Sequence, residues 1–369
     1  MRTGRDGAVD QGGPARLAAL ARDAALLAWS RVEPRTALRC APAPALALAV
    51  GLVSGHPVAG AIAAGGAVTV GFGAFQQFSS RAVPMVLAAL GMAVSTLAGT
   101  LAGLSVPSEI AAVALWGCGC GALAALGPGA QWIAQQCTIF LVIAAAYPGV
   151  SAQAFERTWL VLAGGVLQLA CFGAGLWFER GRPGAPQLQS LLKEAREEIA
   201  ALRQDRQRIA FFRSFALRLA AVLATAVTLS RLLAIPNDYW IAMTALLLTR
   251  TGFRDTVMRS IARIVGTLLG AGLASGVVLL AQPGPGVLMA LVLVFAFLSL
   301  ATLRLGYGVF ALSLTAYVMF LLTFAGLVET RVAEGRILST MLGALCALAA
   351  HAHLRISDIK QAWQSEPGR

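Results

Sequence analysis

"TRTGFRDTVMRSIARIVGTLLG", Thr249–Gly270, carries Arg250, Arg254, Arg259 and Arg263 and then opens into a long apolar run. Such a stretch has three readings: a nucleic-acid patch, a grip for an anion, or a marker of which side of a membrane a loop occupies. The surrounding chain decides among them. Of 369 residues, 58% are hydrophobic and only 12% are charged, with a mean hydropathy of +0.74. Soluble domains run nearer a quarter charged, so this is the composition of an all-α integral membrane protein. The 39 glycines suit helices that approach closely in lipid. The net charge of +12 would fit nucleic acid, but no basic domain stands outside the apolar pattern. Arg and Lys in membrane proteins gather in cytoplasmic loops, and no nucleic-acid partner is expected.

About twelve apolar runs recur with short breaks. In the first half they fall near Leu38–Ser54, Val58–Phe75, Val83–Leu104, Ile110–Leu126, Trp132–Tyr147 and Trp159–Phe178. In the second they fall near Phe215–Ala234, Tyr239–Thr249, Val257–Ala281, Val287–Leu303, Tyr307–Val328 and Ile337–Leu354, the eighth being short. With a cytoplasmic N-terminus, all of the 29 Lys and Arg except Arg157, Arg231, Arg331 and Arg336 fall on the inside. That bias predicts a multi-pass protein with both termini cytoplasmic. "LAALARDAALLAW", Leu17–Trp29, is broken by Arg22 and Asp23. It reads as an amphipathic helix on the membrane face rather than a secretory signal.

An internal repeat supports the same layout. "ALR" at Ala37 recurs at Ala216, Pro57 maps to Pro236 and Arg157 to Arg336, each at an offset of 179. "GF" at Gly71 recurs at Gly252, two residues further on. An even number of crossings per half makes the repeat parallel. The expected organisation is a cytoplasmic segment over 1–36, a six-helix repeat over 37–178, a cytoplasmic linker helix over 179–213, a second six-helix repeat over 214–354, and a cytoplasmic tail over 355–369. Within the linker, Leu188, Leu192, Ala195, Ile199, Leu202 and Ile209 form a short apolar seam broken at Arg206. The seam fits a partner helix or a symmetry mate in a homodimer, and equally a solvated linker held by Glu/Arg pairs.

No catalytic constellation emerges, and no cofactor or metal is expected. His351 and His353 lie two apart near a helix end, which does not put them on one face. "GFGAFQ" at Gly71 and "GCGCG" at Gly117 follow no strand, so they read as helix packing rather than phosphate loops. The six cysteines sit in or beside apolar runs and read as small fillers. "RIVGTLLGA" from Arg263 and "RILSTMLGA" from Arg336 share Arg, Thr at +4 and Gly at +7 on one helical face. Gly266, Gly270 and Gly343 on those faces permit close helix contact. The two helices start from opposite sides in this topology, so their arginines are not expected to meet directly.

"DYWIAMTALLLTRTGFRDTVMRSIARIVGTLLGA", "RLGYGVFALSLTAYVMFLL" and "VAEGRILSTMLGALCALAA" together resemble the fusaric acid resistance protein-like (FUSC) family. The resemblance covers Phe215–His353 and reaches the first half only through the repeat. It implies efflux of aromatic carboxylic acids or related anions across a bacterial inner membrane. Matched motif by motif, it points to Tyr239 and Trp240, to Arg263 and Thr267, and to Arg336 and Thr340 as transport-pathway residues. Gly266, Gly270 and Gly343 match its packing positions. The cytoplasmic insert is shorter than in many relatives. The expected partners are therefore the lipid bilayer and a small organic anion. An anion channel, and a scaffold recruiting partners through the 188–209 helix, stand as alternatives to a transporter.

Overall fold

The computed structural model describes residues 32–76, 80–180, 196–197, 200, 204–233, 239–326 and 335–350. Among them the chain is helical. We number the helices α1 (Pro34–Cys40), α2 (Pro42–Val53), α3 (Pro57–Gly73), α4 (Ala82–Ala102), α5 (Val106–Leu123), α6 (Pro128–Ala145), α7 (Ser151–Arg180), α8 (Arg206–Leu233), α9 (Tyr239–Leu248), α10 (Phe253–Ala281), α11 (Pro285–Ala301), α12 (Tyr307–Phe324) and α13 (Gly335–Ala350). Proline opens α1, α2, α3, α6 and α11, where its missing N–H costs nothing and its fixed φ suits the first turn. At α5 the Ser105 hydroxyl accepts from the Ser108 amide at 3.3 Å and caps the helix. Buried hydroxyls inside these apolar helices turn back on their own backbone. Thr96, Thr138, Ser230 and Ser260 each donate to the carbonyl four residues earlier, at 2.8 to 2.9 Å.

Each apolar run of the sequence coincides with a helix, α1 and α2 sharing the first run. Seven spans are long and apolar enough to cross a membrane: Pro34–Val53, Ala82–Ala102, Val106–Leu126, Ser151–Phe178, Arg206–Leu233, Phe253–Ala281 and Tyr307–Phe324. The shorter apolar helices α3, α9, α11 and α13 fall below that length. At ten residues α9 rises only about 15 Å, half the thickness of a bilayer core. The N-terminal amphipathic segment lies outside the described residues up to Val32, as do His351, His353 and most of the linker seam. The described end of the linker, from Arg206 onward, is continuous with α8.

The two halves interleave. One apolar core joins α2, α3 and α4 to α11 and α12 through Val68, Phe72, Met85, Val292, Leu300 and Phe320. A second joins α5 and α6 to α8 and α9 through Val113, Leu141, Leu223 and Trp240. Helix α5 runs along α8, where a Cβ on Gly121 would come within 2.4 to 3.1 Å of Ala216. Helices α4 and α6 pack together, as do α10 and α12, and α3 lies on α7.

Charged groups mark the two ends of the bundle. At one end Glu33 receives Arg81 at 3.0 Å and Arg304 at 2.6 Å, while Arg304 also donates to the Phe75 carbonyl. At the other end Arg231 grips the buried Glu109 through Nε and one terminal nitrogen, at 2.7 and 2.6 Å, and ties α8 to α5. Arg157 there donates to the Tyr147 carbonyl. These arginines account for two of the four basic residues that the positive-inside pattern left over.

Candidate functional site

Helix α9 is enclosed on nearly every side: Tyr239, Trp240, Ile241, Ala242, Met243, Thr244, Ala245 and Leu246 are all buried. Its apolar sequence lacks a polar face because no face meets water. Helix α13 lies directly on it. A Cβ at Gly343 would stand 2.6 Å from the Ile241 carbonyl oxygen and 2.7 Å from the Thr244 Cβ, so only glycine allows this approach. Two turns earlier on the same face, the contact delivers Arg336 onto Trp240, with its guanidinium carbon 3.7 Å from the ring centroid. Trp240 in turn lies 4.7 Å from the Tyr239 ring, and Tyr239 lies 5.9 Å from Tyr147 at the end of α6.

Helix α10 supplies the second arginine. Gly266 and Gly270 fit against the α12 backbone at Gly308 and Leu312. Ile264 packs with Leu248 of α9 and Ala344 and Ala347 of α13, so α9, α10 and α13 converge here. Arg263 and Arg336 are each 1% exposed, among the largest fully buried side chains of the molecule. Arg336 stacks on Trp240 at the start of α9, while Ile264, next to Arg263, packs at Leu248 at its end. Arg263 does not open its helix: α10 begins at Phe253, and Arg263 sits nearly three turns inside it. The helix dipole thus gives Arg263 no help, and its charge is met by whatever shares the interior.

The donors of the two side chains are open. Among the described residues, Nε and one terminal nitrogen of Arg263, and all three nitrogens of Arg336, have no hydrogen-bond partner. The Trp240 indole N–H, the Thr267 hydroxyl and the Ser339 hydroxyl are likewise buried and unpartnered. A buried charge without a partner costs several kcal/mol. The ring of Trp240 returns about 2 kcal/mol to Arg336 by cation–π attraction, which leaves Arg263 without such relief. Such an arrangement is suited to holding an anion. Thr340 is buried beside them, but its hydroxyl donates to the Arg336 carbonyl at 2.7 Å. Of the two motif threonines, Thr267 is the one with a free hydroxyl.

The remaining arginines of the opening stretch take different positions. Arg254 is exposed. Arg259 lies over the Tyr307 ring at 4.7 Å, and the Arg250 carbonyl accepts from Arg218 at 3.4 Å. Burial first, and the neighbouring Arg259 second, pull the Arg250 guanidinium down to about 10. Tyr307, Arg218, Tyr147 and Ser339 were not singled out from sequence. Ser339 was readable as the residue three after Arg336 on its face, and Tyr307 stands within the "RLGYGVF" stretch. Nothing local to Arg218 or Tyr147 announced a role.

Both buried arginines, the enclosed α9 and the packing glycines of α10 and α13 belong to one continuous part of the chain. Residues 219–350 match the fusaric acid resistance protein-like family. The resemblance read from the motifs is therefore borne out over the second half. This fusaric acid resistance protein-like region also resembles the uncharacterized protein YhfK of Escherichia coli (strain K12), 32% identical over 126 residues. That likeness covers 34% of this chain and 18% of YhfK, so the chain spans less than a fifth of that relative's length. No solved structure matches.

Proposed function

We propose that this protein is a multi-pass transporter of the bacterial inner membrane that exports small organic anions, aromatic carboxylates among them. The observation that carries the reading is two buried guanidiniums, Arg263 and Arg336, with N–H groups unpartnered among the described residues, Arg336 lying on Trp240. Positive charge held away from water is costly unless an anion completes it, and a transported carboxylate completes it reversibly. Tyr239, Trp240 and Thr267 line the same place, with Thr340 holding the helix turn behind Arg336. The family match over the same residues supports a transport role. Transporters build sites at short, interrupted helices, and α9 is a short helix of ten residues.

The architecture of this reading is twelve crossings in two parallel six-helix repeats, with both termini cytoplasmic. Glycine packing supports it. Gly91 and Gly270 stand 179 apart and face equivalent neighbours, α6 and α12. Gly164 and Gly343 stand 179 apart too, the first against Ala63 of α3 and the second against Ile241 of α9. Contacts between halves are likewise paired, α5 with α8 and α11 with α1.

The test is efflux of benzoate and 4-hydroxybenzoate from proteoliposomes containing the purified full chain. Transport that is lost in Arg263→Gln and Arg336→Gln, with both variants folded, is the expected result. Folded protein that moves no member of a broad acid panel would sink the proposal. Currents that persist at the full rate without any coupling gradient would instead make it an anion channel.

A further inference from the structure

The two halves of the chain meet along two sets of helices, α5 with α8 and α11 with α1 and α2. On the repeat reading these are copies of one another at the offset of 179, yet they are built differently. In the first, glycine lets the helices touch: a Cβ at Gly117 would stand 2.7 Å from the Leu223 Cδ1, and one at Gly121 would stand 2.4 Å from the Ala216 Cα. The offset puts Ala296 and Leu300 where those glycines stand, so side chains fill the seam of α11 with α1 and α2. It also sets the unbroken α8 against a helix split at Ala41, ahead of Pro42 and Pro44. The split helix is tied to its own half. Pro44 has no N–H for the Cys40 carbonyl four residues earlier. Oriented to suit its neighbours, the Gln168 amide of α7 donates to that carbonyl at 3.0 Å and to the Ala67 carbonyl of α3 at 3.1 Å. Glu33, just before α1, takes Arg81 of the same half. Across the seam, Arg304 of the second half pairs with Glu33 at 2.6 Å and donates to the Phe75 carbonyl. The pair is partly exposed, and such pairs hold weakly.

We infer that the halves rock about the glycine-tight contact of α5 with α8 and part at the seam of α1 with α11, where Arg304 is the latch. The inference rests on the transport reading, which needs the halves to move, and names where they do so. Backbones in contact along a helix pair separate only at the loss of the whole contact, whereas side chains in a seam can slide and repack. The Arg304 pair breaks and reforms as the seam opens and closes, while α1 travels with α3 and α7 through Gln168.

Two native thiols report on the two places. A Cβ at Gly71 would stand 3.4 Å from Cys40 and 3.5 Å from Leu300, so Cys40 lies in the seam. Cys120 lies on α5 in the other contact, and the two are 0% and 2% exposed. The full chain in proteoliposomes is treated with N-ethylmaleimide, and modification is read residue by residue by mass spectrometry. Cys40 should react faster than Cys120. Arg304→Ala should speed Cys40 about two- to fivefold, the range that losing one exposed ion pair spans, and leave Cys120 unchanged. Arg81→Ala removes a pair inside the first half and should change neither rate. Where Arg304→Ala does not fold, Glu33→Gln breaks the same pair. A Cys40 rate that does not rise in a folded latch variant, a parallel rise at Cys120, or the reverse order in the wild type overturns the inference. Each of these outcomes leaves anion transport standing, since efflux is measured separately.

Discussion

Two glycines of α10, two positions apart, should respond to alanine in opposite directions. A Cβ at Gly270 would stand 2.5 Å from the Leu312 carbonyl oxygen and 3.0 Å from the Thr315 Cβ on α12. A Cβ at Gly272 would meet nothing within 4 Å. Backbone cannot swing aside as a side chain does, so Gly270→Ala must push α10 away from α12 by something near an ångström. Overpacking of that kind typically costs 1–3 kcal/mol, partly offset by the roughly 1 kcal/mol that alanine gains over glycine in a helix. Gly272→Ala receives the gain without the clash. The two variants should therefore differ by about 1–3 kcal/mol, with Gly270→Ala the weaker. Reversible unfolding of the full chain in mixed micelles measures the difference, and anion binding on the same samples extends it. Arg263 and Thr267 lie on the face of α10 that α12 supports, so Gly270→Ala should also weaken binding, whereas Gly272→Ala should not. A Gly270→Ala protein as stable as Gly272→Ala would refute the close approach of α10 and α12, and with it the placement of Arg263.

Arg231→Ala should destabilise the protein by about 3 kcal/mol, because it removes this ion pair from the buried Glu109; the double change Arg231→Ala with Glu109→Gln should recover part of that in the same unfolding assay. Burial pushes the Glu33 carboxyl up, but the Thr36 hydroxyl and the Arg81 and Arg304 charges outweigh it and hold the group below its usual 4.5. A carboxylate held low when folded contributes stability above its unfolded value and loses it as pH falls through the folded one. The stability gap between wild type and Glu33→Gln should accordingly be full at pH 6 and shrink below about 4.5, which micelle unfolding at several pH values checks. Arg254 is exposed, so Arg254→Ala should stay within about 0.5 kcal/mol of wild type and leave transport unchanged. A large effect there would mean that the outer arginines do more than mark a side.

Lipid demands long unbroken apolar helices, and that demand writes itself into composition, so the run positions were legible and the short eighth run announced α9. What lay beyond reach depended on contacts between distant residues. Glu109 and Arg231 are 122 positions apart, and their pairing leaves no local mark on either helix. The boundary of α10 was hidden for another reason. "FRDTVMRSIA" is polar enough to look like loop, yet the helix continues through it, with Arg259 stacked on the Tyr307 ring and Arg254 exposed. Taking polarity for a boundary put Arg263 at a helix start rather than nearly three turns inside α10. Motif spacing named both residues, but the seat of Arg336 on Trp240 depends on the short α9 and its glycine contact with α13.

The same comparison explains why the charge lies in one half. On the repeat reading, an offset of 179 carries Gly270 back to Gly91 and Gly343 back to Gly164, and all four sit at close helix contacts. Packing demands the same small residue wherever backbones touch, so both copies keep it. The offset carries Arg263 back to Pro84, and Arg336 back to Arg157, which is partly exposed and donates to the Tyr147 carbonyl near an end of the bundle. A buried guanidinium is costly unless something satisfies it, and on the transport reading one such place per chain suffices. On the transport reading the second half holds the chemistry, while the first supplies helices that enclose it: Tyr147 lies against Tyr239, and α5 and α6 wall α8 and α9. Titration of the intact protein with benzoate should accordingly saturate at one molecule per chain. Two would require matching buried cations in the first half, where Pro84 and the partly exposed Arg157 stand instead.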